Sequence, residues 1–288
     1  MMTNSTEKSL LTSNHKEVPQ LAFGCYKVYQ EECAKVIQNA INVGYRHFDS
    51  ASFYGNEAEV GKGLEEALLN GAVSRSELCI CSKVWKDAVK EGRAAVRLSI
   101  EKSISDLCCE YLDIAMIHWP VSNFHVEAYK ELELMVAEGK ILSIGLSNYL
   151  PKDYEDLLSA NISIQPIVNQ MEISPFMYRP QIIGYFAKKN IVVESHKSLH
   201  RGNCLENKII QEMSLALSKS PAQIMVRWGI QKGFIVVCKT SSLSRMKENR
   251  NVFDFTLSEK DIERLDALTD GENILARHQQ ELRSKLVN

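Results

Sequence analysis

Residues 78–118 read LCICSKVWKDAVKEGRAAVRLSIEKSISDLCCEYLDIAMIH, and this stretch decides the fold. It begins and ends with short apolar runs, at 78–84 and 111–118, of the kind that form buried β-strands. Between the runs, apolar residues return every three or four positions, as on one face of an amphipathic helix: Val96, Ile100, Ile104 and Leu107. Because a helix carries the chain back to the same edge of a sheet, the two strands are predicted to pair in parallel.

The same alternation of apolar run and helical segment extends over the rest of the chain. Eight runs are predicted as strands, at residues 21–26, 45–49, 78–84, 111–118, 141–147, 166–170, 191–195 and 234–239. Parallel strands joined by helices form either an open, doubly wound sheet or a closed barrel. The number of runs, their even spacing and the lack of a long linker favour an α/β fold with one (β/α)8 TIM barrel, a single domain over residues 1–288.

Both ends of the chain lie outside this alternating pattern. Residues 1–17 form a polar N-terminal extension, and residues 270–288 form a short tail after the last helical pattern. Within the extension and the residues that follow it, 11–19 are predicted to form a β-hairpin that plugs one end of the barrel.

Charge and composition exclude several classes of function. The chain has 34 Lys and Arg against 36 Asp and Glu, a net charge of −2, with no block of five like charges, so neither nucleic acid nor a membrane surface is an expected partner. No apolar stretch approaches the roughly 18 residues of a membrane helix, and residues 1–18 lack the apolar centre of a secretory signal. The 8 cysteines include no Cys-x-x-Cys pair, and the 7 histidines show no metal-ligand spacing. We therefore expect a cytoplasmic protein without a metal site.

Polar side chains end nearly every predicted strand. In a barrel of this kind, the C-terminal ends of the strands and the loops after them form the working face. The residues at these ends are Asp49, Lys83, His118, Ser147, Asn148, Gln170, 195–197 and Lys239. A single polar strand end is ordinary, because loops are polar, but so many on one rim indicate a functional site.

Four of the residues near this rim suit proton donation to a carbonyl oxygen. Tyr54 follows Asp49 in the loop after the second predicted strand, and a phenol with a pKa of ~10 is a poor donor at neutral pH. An ammonium group at Lys83 stabilises the phenolate and is expected to lower this pKa, while Asp49 keeps Lys83 charged. His118 is expected to orient a substrate oxygen. Reduction of a carbonyl also needs a hydride donor, which in proteins is a nicotinamide or a flavin.

A phosphate site is predicted after the last strand. No Gly-x-Gly-x-x-Gly follows a strand and no P-loop is present, so the usual dinucleotide fold is not indicated. Hydroxyl residues at 240–242 stand where a helix would begin, with Lys239 before them and Arg245 after them. A helix N-terminus with nearby cations binds phosphate, but ordinary helix caps have the same composition, so both interpretations stay open.

Several motifs resemble the signature of the aldo-keto reductases and occur in the order of that family. They are GYRHFDSA at 44–51, YGNE at 54–57, SKVW at 82–85, YLD at 111–113, IHWP at 117–120, IGLSN at 144–148, VNQ at 168–170, and the run from Lys239 to Asn249. The resemblance covers about residues 24–268. It implies a (β/α)8 barrel that reduces an aldehyde or ketone to an alcohol with NADPH.

The resemblance also implies a role for each matching residue. Tyr54 is the acid of a catalytic tetrad with Asp49, Lys83 and His118. In the family, the positions of Ser147, Asn148 and Gln170 hold the nicotinamide carboxamide, those of Lys239, Thr240 and Arg245 bind the adenosine 2′-phosphate, and those of Glu248 and Asn249 contact the adenine. The presence of both Lys239 and Arg245 favours NADPH over NADH, because a 2′-phosphate needs cations.

The segment 195–202 departs from the family pattern. The family commonly has Ala-Tyr-Ser-Pro-Leu-Gly-Arg-Gly there, whereas this chain reads SHKSLHRG. His196 takes the place of the tyrosine that stacks on the nicotinamide, and Ser198 and Leu199 fall in the same cofactor-binding segment. A protonated imidazole would repel the positively charged ring of NADP⁺, so we expect its affinity to fall at acid pH. Lys197 and Arg201 either meet the pyrophosphate or are solvated loop charges.

The substrate pocket is expected to be open. Its candidate binding residues are Tyr26, Phe53, Trp85, His118 and Trp119. Each aromatic residue could equally pack in the core. The loops at this rim are short, which favours small aldehydes, ketones, dicarbonyls or sugar-derived carbonyls over a steroid, and the chain is expected to be a monomer or weak homodimer. Alternatives are an NADPH-binding sensor or accessory subunit with little turnover, and a phosphate-handling barrel isomerase or aldolase.

Overall fold

Eight parallel strands close into a barrel in the computed structural model, which describes residues 9–12 and 14–269. Two short strands, β1 (Ser9–Leu11) and β2 (Glu17–Pro19), precede the barrel and pair antiparallel. The barrel strands are β3 (Leu21–Gly24), β4 (His47–Asp49), β5 (Cys79–Val84), β6 (Ile114–Ile117), β7 (Ile144–Ser147), β8 (Val168–Glu172), β9 (Val192–His196) and β10 (Ile235–Cys238). The helices are α1 (Gln30–Val43), α2 (Glu57–Leu69), α3 (Lys86–Glu91), α4 (Arg93–Asp106), α5 (His125–Ala137), α6 (Pro151–Ser159), α7 (Pro180–Lys188), α8 (Lys208–Leu217), α9 (Pro221–Gln231), α10 (Leu243–Arg250) and α11 (Glu259–Asp266).

The strand order confirms the predicted closed barrel. From β3 to β9 each strand pairs with the next along the chain, and β10 pairs with both β9 and β3. Each of the eight apolar runs overlaps one barrel strand. The open, doubly wound sheet is therefore excluded.

Local chemistry sets where the helices begin and end. Pro151 and Pro221 occupy the first turns of α6 and α9, where a missing N–H costs no helical hydrogen bond. After α5 the chain turns at Gly139 with a φ of +74°, a backbone conformation that glycine adopts without strain. These ends bring the chain back to the barrel after each helix.

The barrel interior changes from apolar to polar along its axis. Ala22, Cys81, Met116 and Val168 are buried in one inner cluster, and Cys79 and Cys81 are core residues as the sequence predicts. Nearer the C-terminal strand ends, buried polar side chains replace them: Asp49, Lys83, Gln170 and Glu194. The polar layer lies directly below the rim on which the sequence places the site.

The predicted hairpin is confirmed and covers the opposite end of the barrel. Val18 of β2 is buried in the same inner cluster as Ala22 and Ile114, near the N-terminal strand ends. The Asn14 side chain donates to the Ser143 hydroxyl at 2.8 Å. Residues 1–8 and the predicted tail 270–288 lie outside the described residues. Among the residues described, no helix has both the length and the apolar character that a membrane crossing requires.

Candidate active site

The predicted tetrad comes together at the C-terminal rim of the barrel. Asp49 ends β4 and Lys83 lies in β5, while Tyr54 ends a short 3-10 turn (Ser52–Tyr54) after β4. The Lys83 ammonium lies 2.6 Å from Asp49 Oδ1, 2.7 Å from the Ser50 carbonyl oxygen and 3.3 Å from the Tyr54 hydroxyl. An ammonium has three donors, so these three acceptors satisfy the Lys83 ammonium completely, and Lys83 itself is 0% exposed.

Burial and nearby charges shift the pKa values of Lys83 and Tyr54 in opposite directions. Burial by itself would lower the pKa of Lys83, but Asp49 and Tyr54 outweigh it and raise this pKa well above its usual value. Burial raises the pKa of Tyr54, and Lys83 works against that rise. The expectation that Lys83 brings the pKa of Tyr54 below its usual value is therefore wrong in net effect, because desolvation of the phenolate is the larger influence. Tyr54 holds its proton at neutral pH.

His118 follows β6 and faces Tyr54 edge to face, with ring centroids 6.1 Å apart. Its Nδ1 is buried and has no hydrogen-bond partner among residues 9–12 and 14–269. Burial, reinforced by the charge of Lys83, lowers the pKa of His118 well below its usual value. The imidazole is therefore neutral and suited to hydrogen-bond a substrate oxygen without adding a charge.

The residues predicted to hold the nicotinamide lie on the neighbouring strand ends. Asn148 follows β7 with a φ of +64°, and its side chain donates to the His118 carbonyl oxygen at 3.1 Å and to the Ser147 hydroxyl at 3.0 Å. Its backbone N–H donates to the Gln170 carbonyl oxygen at 2.8 Å. These bonds hold Ser147, Asn148 and Gln170 as one unit beside the tetrad.

β9 ends at a histidine, His196, and the loop after it begins with an ion-paired lysine, Lys197. Burial lowers the pKa of His196 to about 3, with Glu172 opposing and Lys197 reinforcing the effect. The expected loss of NADP⁺ affinity at acid pH is therefore wrong in its cause, since His196 stays neutral there. Lys197 forms an ion pair with Glu172, whereas Arg201 is exposed. Lys197 is thus a loop cation that is paired with Glu172.

The remaining residues predicted to bind the cofactor in this loop are Ser198 and Leu199, and the Ser198 hydroxyl lies 3.3 Å from the Val237 carbonyl oxygen of β10. The Ser198 hydroxyl is buried and donates to the Ser195 carbonyl oxygen at 2.8 Å. Leu199 is half-buried and packs against the outer core. These contacts hold the start of the segment that joins β9 to α8.

The predicted phosphate site lies at the N-terminus of a helix, α10. Ser242 caps α10, and its backbone N–H donates to the buried Thr240 hydroxyl at 3.1 Å. Lys239 and Arg245 are both exposed beside this end of the helix. Within α10, Glu248 accepts a hydrogen bond from the Ser220 hydroxyl, and Asn249 is buried. Free helix N–H groups and two exposed cations fit a bound phosphate.

Aromatic side chains border the tetrad on the solvent side. Phe53 is 51% exposed and stacks on Trp85 at 3.8 Å, and Tyr26 is 45% exposed with its ring 5.0 Å from that of Tyr54. Trp119 lies parallel to His118 at 6.3 Å. The exposure of Tyr26 and Phe53 excludes the interpretation that they pack in the core.

Glu194 is a site residue that sequence reasoning missed. It lies in β9, is 0% exposed, and accepts a hydrogen bond at 2.8 Å from Gln170, which also donates to Asp49 Oδ1 at 2.7 Å. Burial raises the pKa of Glu194 to about 8; Asp49 adds to the rise, and Lys83 opposes it. A signal was available, because parallel strands covered on both faces are almost wholly apolar, and a carboxyl within the run 191–195 is an exception.

The comparisons with known proteins agree with this geometry. The model of the Aldo/keto reductase family matches residues 20–270. The chain is 34% identical to a glyoxal reductase of Bacillus subtilis, over 95% of this chain and 97% of the relative. It is 33% identical to an NAD(P)H-dependent D-xylose reductase of Candida tropicalis, over 94% and 95%. A Bombyx mori aldo-keto reductase solved in complex with NADP superposes with a TM-score of 0.86 at 25% identity, covering 92% and 93% of the two chains. The chain described here belongs to the aldo/keto reductase family.

Proposed function

We propose that this chain is an NADPH-dependent reductase that converts small aldehydes or ketones to alcohols, with Tyr54 as the proton donor. The observation that carries the proposal is the buried Lys83 ammonium, which contacts both Asp49 at 2.6 Å and the Tyr54 hydroxyl at 3.3 Å. That the chain is an oxidoreductase follows from its family.

Tyr54 and His118 are placed to act on a carbonyl oxygen. His118, held neutral, donates a hydrogen bond and orients the oxygen, and Tyr54 delivers its proton as charge develops there. NADPH, when bound, supplies the hydride that adds to the carbonyl carbon. Lys83 stabilises the phenolate that remains on Tyr54, and Asp49 keeps Lys83 charged. The hydride and the proton together give the alcohol.

The cofactor is NADPH, as the sequence predicts. The relatives include an NAD(P)H-dependent reductase, and one similar structure contains NADP. We propose that Ser147, Asn148 and Gln170 bind the carboxamide of the nicotinamide. Their hydrogen bonds to each other and to His118 hold that end of the cofactor close to the tetrad. Holding hydride donor and carbonyl in contact accelerates the reaction by proximity.

We propose that the 2′-phosphate binds at the start of α10. Lys239 and Arg245 supply the positive charge, and the free N–H groups of the helix supply hydrogen bonds. Thr240 ties Ser242 into the turn that presents these groups. Glu248 and Asn249 lie further along the same helix, where the adenine is expected.

We propose small carbonyl compounds as substrates. The rim residues Tyr26 and Phe53 are about half exposed, so the pocket opens to solvent and does not enclose a large ligand. Relatives named for glyoxal and D-xylose support a short or sugar-derived carbonyl.

The test is NADPH consumption with a panel of small aldehydes, for the wild type and for Tyr54→Phe. Loss of the donor hydroxyl is expected to lower kcat by a factor of about 100 or more while the Kd of NADPH is unchanged. The matched control is Tyr29→Phe, which removes the same hydroxyl from a side chain 73% exposed and should leave both values unchanged. NADPH binding without turnover of any carbonyl would instead favour the sensor or accessory subunit.

A further inference from the structure

The barrel interior contains a carboxyl group that the proposed reaction does not use. Glu194 of β9 is the register partner of Gln170 on β8. The Gln170 side-chain nitrogen donates to Glu194 Oε1 at 2.8 Å and to Asp49 Oδ1 at 2.7 Å. The chain Lys83–Asp49–Gln170–Glu194 is therefore continuous across the interior, and each member is at most 3% exposed.

This arrangement determines what Gln170 offers to a ligand. A primary amide has two N–H donors and one carbonyl oxygen. Both donors of Gln170 are used by carboxyl groups, so its oxygen is the atom left for an incoming group. If the Gln170 amide were flipped by 180°, its oxygen would face the carboxylate of Asp49. The two acceptor oxygens would then repel each other. Asp49 thus selects the orientation, and Glu194 fixes the rotation of the amide plane.

The charges around Glu194 are unbalanced. The polar or titratable groups that face it are Asp49 of β4, Lys83, Cys79 and Cys81 of β5, and Gln170 of β8, whereas β10 presents the apolar Ile235. One cation thus serves two buried carboxyl groups, and Lys83 is already bonded to Asp49. Glu194 is the carboxyl that keeps a proton at neutral pH, in keeping with its raised pKa of about 8.

We propose that Glu194 is a positioning residue of the cofactor site: it takes the second N–H of Gln170, orients this amide for the nicotinamide carboxamide, and releases a proton when the oxidised cofactor binds. The inference rests on the proposed role of Gln170. The reason for the proton linkage is electrostatic: the oxidised nicotinamide is positively charged, and a negative charge on Glu194 favours it over the neutral reduced ring.

The first test measures the Kd of NADPH from its fluorescence at pH 6.5, without turnover. Glu194→Leu is expected to weaken binding about five- to tenfold, the effect of one hydrogen bond that orients the amide. Glu194→Gln should stay within about twofold of the wild type, because its amide oxygen accepts the same bond. In a Gln170→Ala background, Glu194→Leu should add less than about twofold, because the group that it orients is gone.

The second test follows the ratio of the NADPH and NADP⁺ dissociation constants from pH 6.5 to pH 9. In the wild type, NADP⁺ should gain affinity relative to NADPH by several-fold as Glu194 loses its proton. In Glu194→Gln the ratio should stay constant, because this side chain cannot ionise. Far-UV circular dichroism and thermal melts report whether each variant is folded, and Glu194→Gln decides the question if Glu194→Leu is not.

Three results would overturn the inference. The first is that folded Glu194→Leu binds NADPH as tightly as the wild type does. The second is that Glu194→Leu weakens NADPH binding as much in the Gln170→Ala background as it does alone. The third is that the ratio of the NADPH and NADP⁺ dissociation constants still depends on pH in Glu194→Gln. Unchanged NADPH affinity in Gln170→Ala alone has a different meaning, since it would refute the proposed role of Gln170 and the inference with it.

Discussion

Replacing Lys83 by methionine should destabilise the fold as well as stop catalysis. The substitution keeps a long, unbranched side chain but removes the ammonium that contacts Asp49, Ser50 and Tyr54. Asp49 is 3% exposed, and among residues 9–12 and 14–269 its side chain would keep the N–H of Gln170 as its one partner. Removing one partner of a buried ion pair lowers the free energy of unfolding by about 3–5 kcal/mol, because the remaining buried charge is unpaired. We expect the free energy of unfolding at pH 7.5 to fall by that amount.

Urea denaturation of three variants measures this loss. Lys102→Met is the matched control, since Lys102 pairs with Asp106 on the surface and is 72% exposed, so its loss should cost less than about 1 kcal/mol. Adding Asp49→Asn to Lys83→Met removes the unpaired charge and should restore about 2 kcal/mol of stability, part of the cost of an uncompensated buried charge. The reasoning is refuted if Lys83→Met costs no more than Lys102→Met, or if the double variant is no more stable than the single one.

Three further predictions concern Glu194, Arg245 and His196. With a folded pKa of about 8 against ~4.3 in an unfolded chain, Glu194 binds more protons in the native state, so wild-type stability should fall relative to Glu194→Gln by up to about 1.4 kcal/mol per pH unit between those values. Urea titrations at pH 5 and pH 7.5 check this, and an equal difference at both would contradict it. Arg245→Ala should raise the Kd of NADPH about tenfold and leave that of NADH unchanged, as measured by fluorescence titration; equal losses for both cofactors would show that Arg245 does not contact the 2′-phosphate. Because burial holds the pKa of His196 at about 3, His196→Asn and the wild type should show parallel NADP⁺ affinities from pH 5.5 to pH 7, and calorimetric curves that diverge there would show that His196 titrates.

The positions of the barrel strands were predictable because they depend on local sequence. Each barrel strand is a short apolar run, and several of them end at a polar residue such as Asp49 or Ser147. Strand ends of a parallel barrel share one rim, so Asp49, Lys83 and His118 were expected to meet there from position, and Tyr54 was added from the loop after Asp49 because of its chemistry. The structure brings Asp49, Lys83, Tyr54 and His118 together as this argument requires.

Properties that depend on several strands at once were not predictable. The contact between Gln170 and Glu194 needs the register of β8 against β9, which no local pattern encodes. The pKa of Tyr54 was expected to fall because an ammonium at Lys83 stabilises the phenolate, but the degree of burial, which raises this pKa, is set by the whole rim. The neutral state of His196 has the same origin, because its surroundings come from the closed barrel and not from its neighbours in sequence.

The hairpin of β1 and β2 has a practical consequence for handling the molecule. It sits on the barrel end opposite to Lys83 and Tyr54, and Val18 and Asn14 tie it to the barrel floor. A solid support or fusion partner joined ahead of β1 would therefore attach to the end of the barrel opposite the active-site rim. The rim itself would face the solvent. An electrode, bead or second enzyme attached at that side should leave passage to Tyr54 unobstructed.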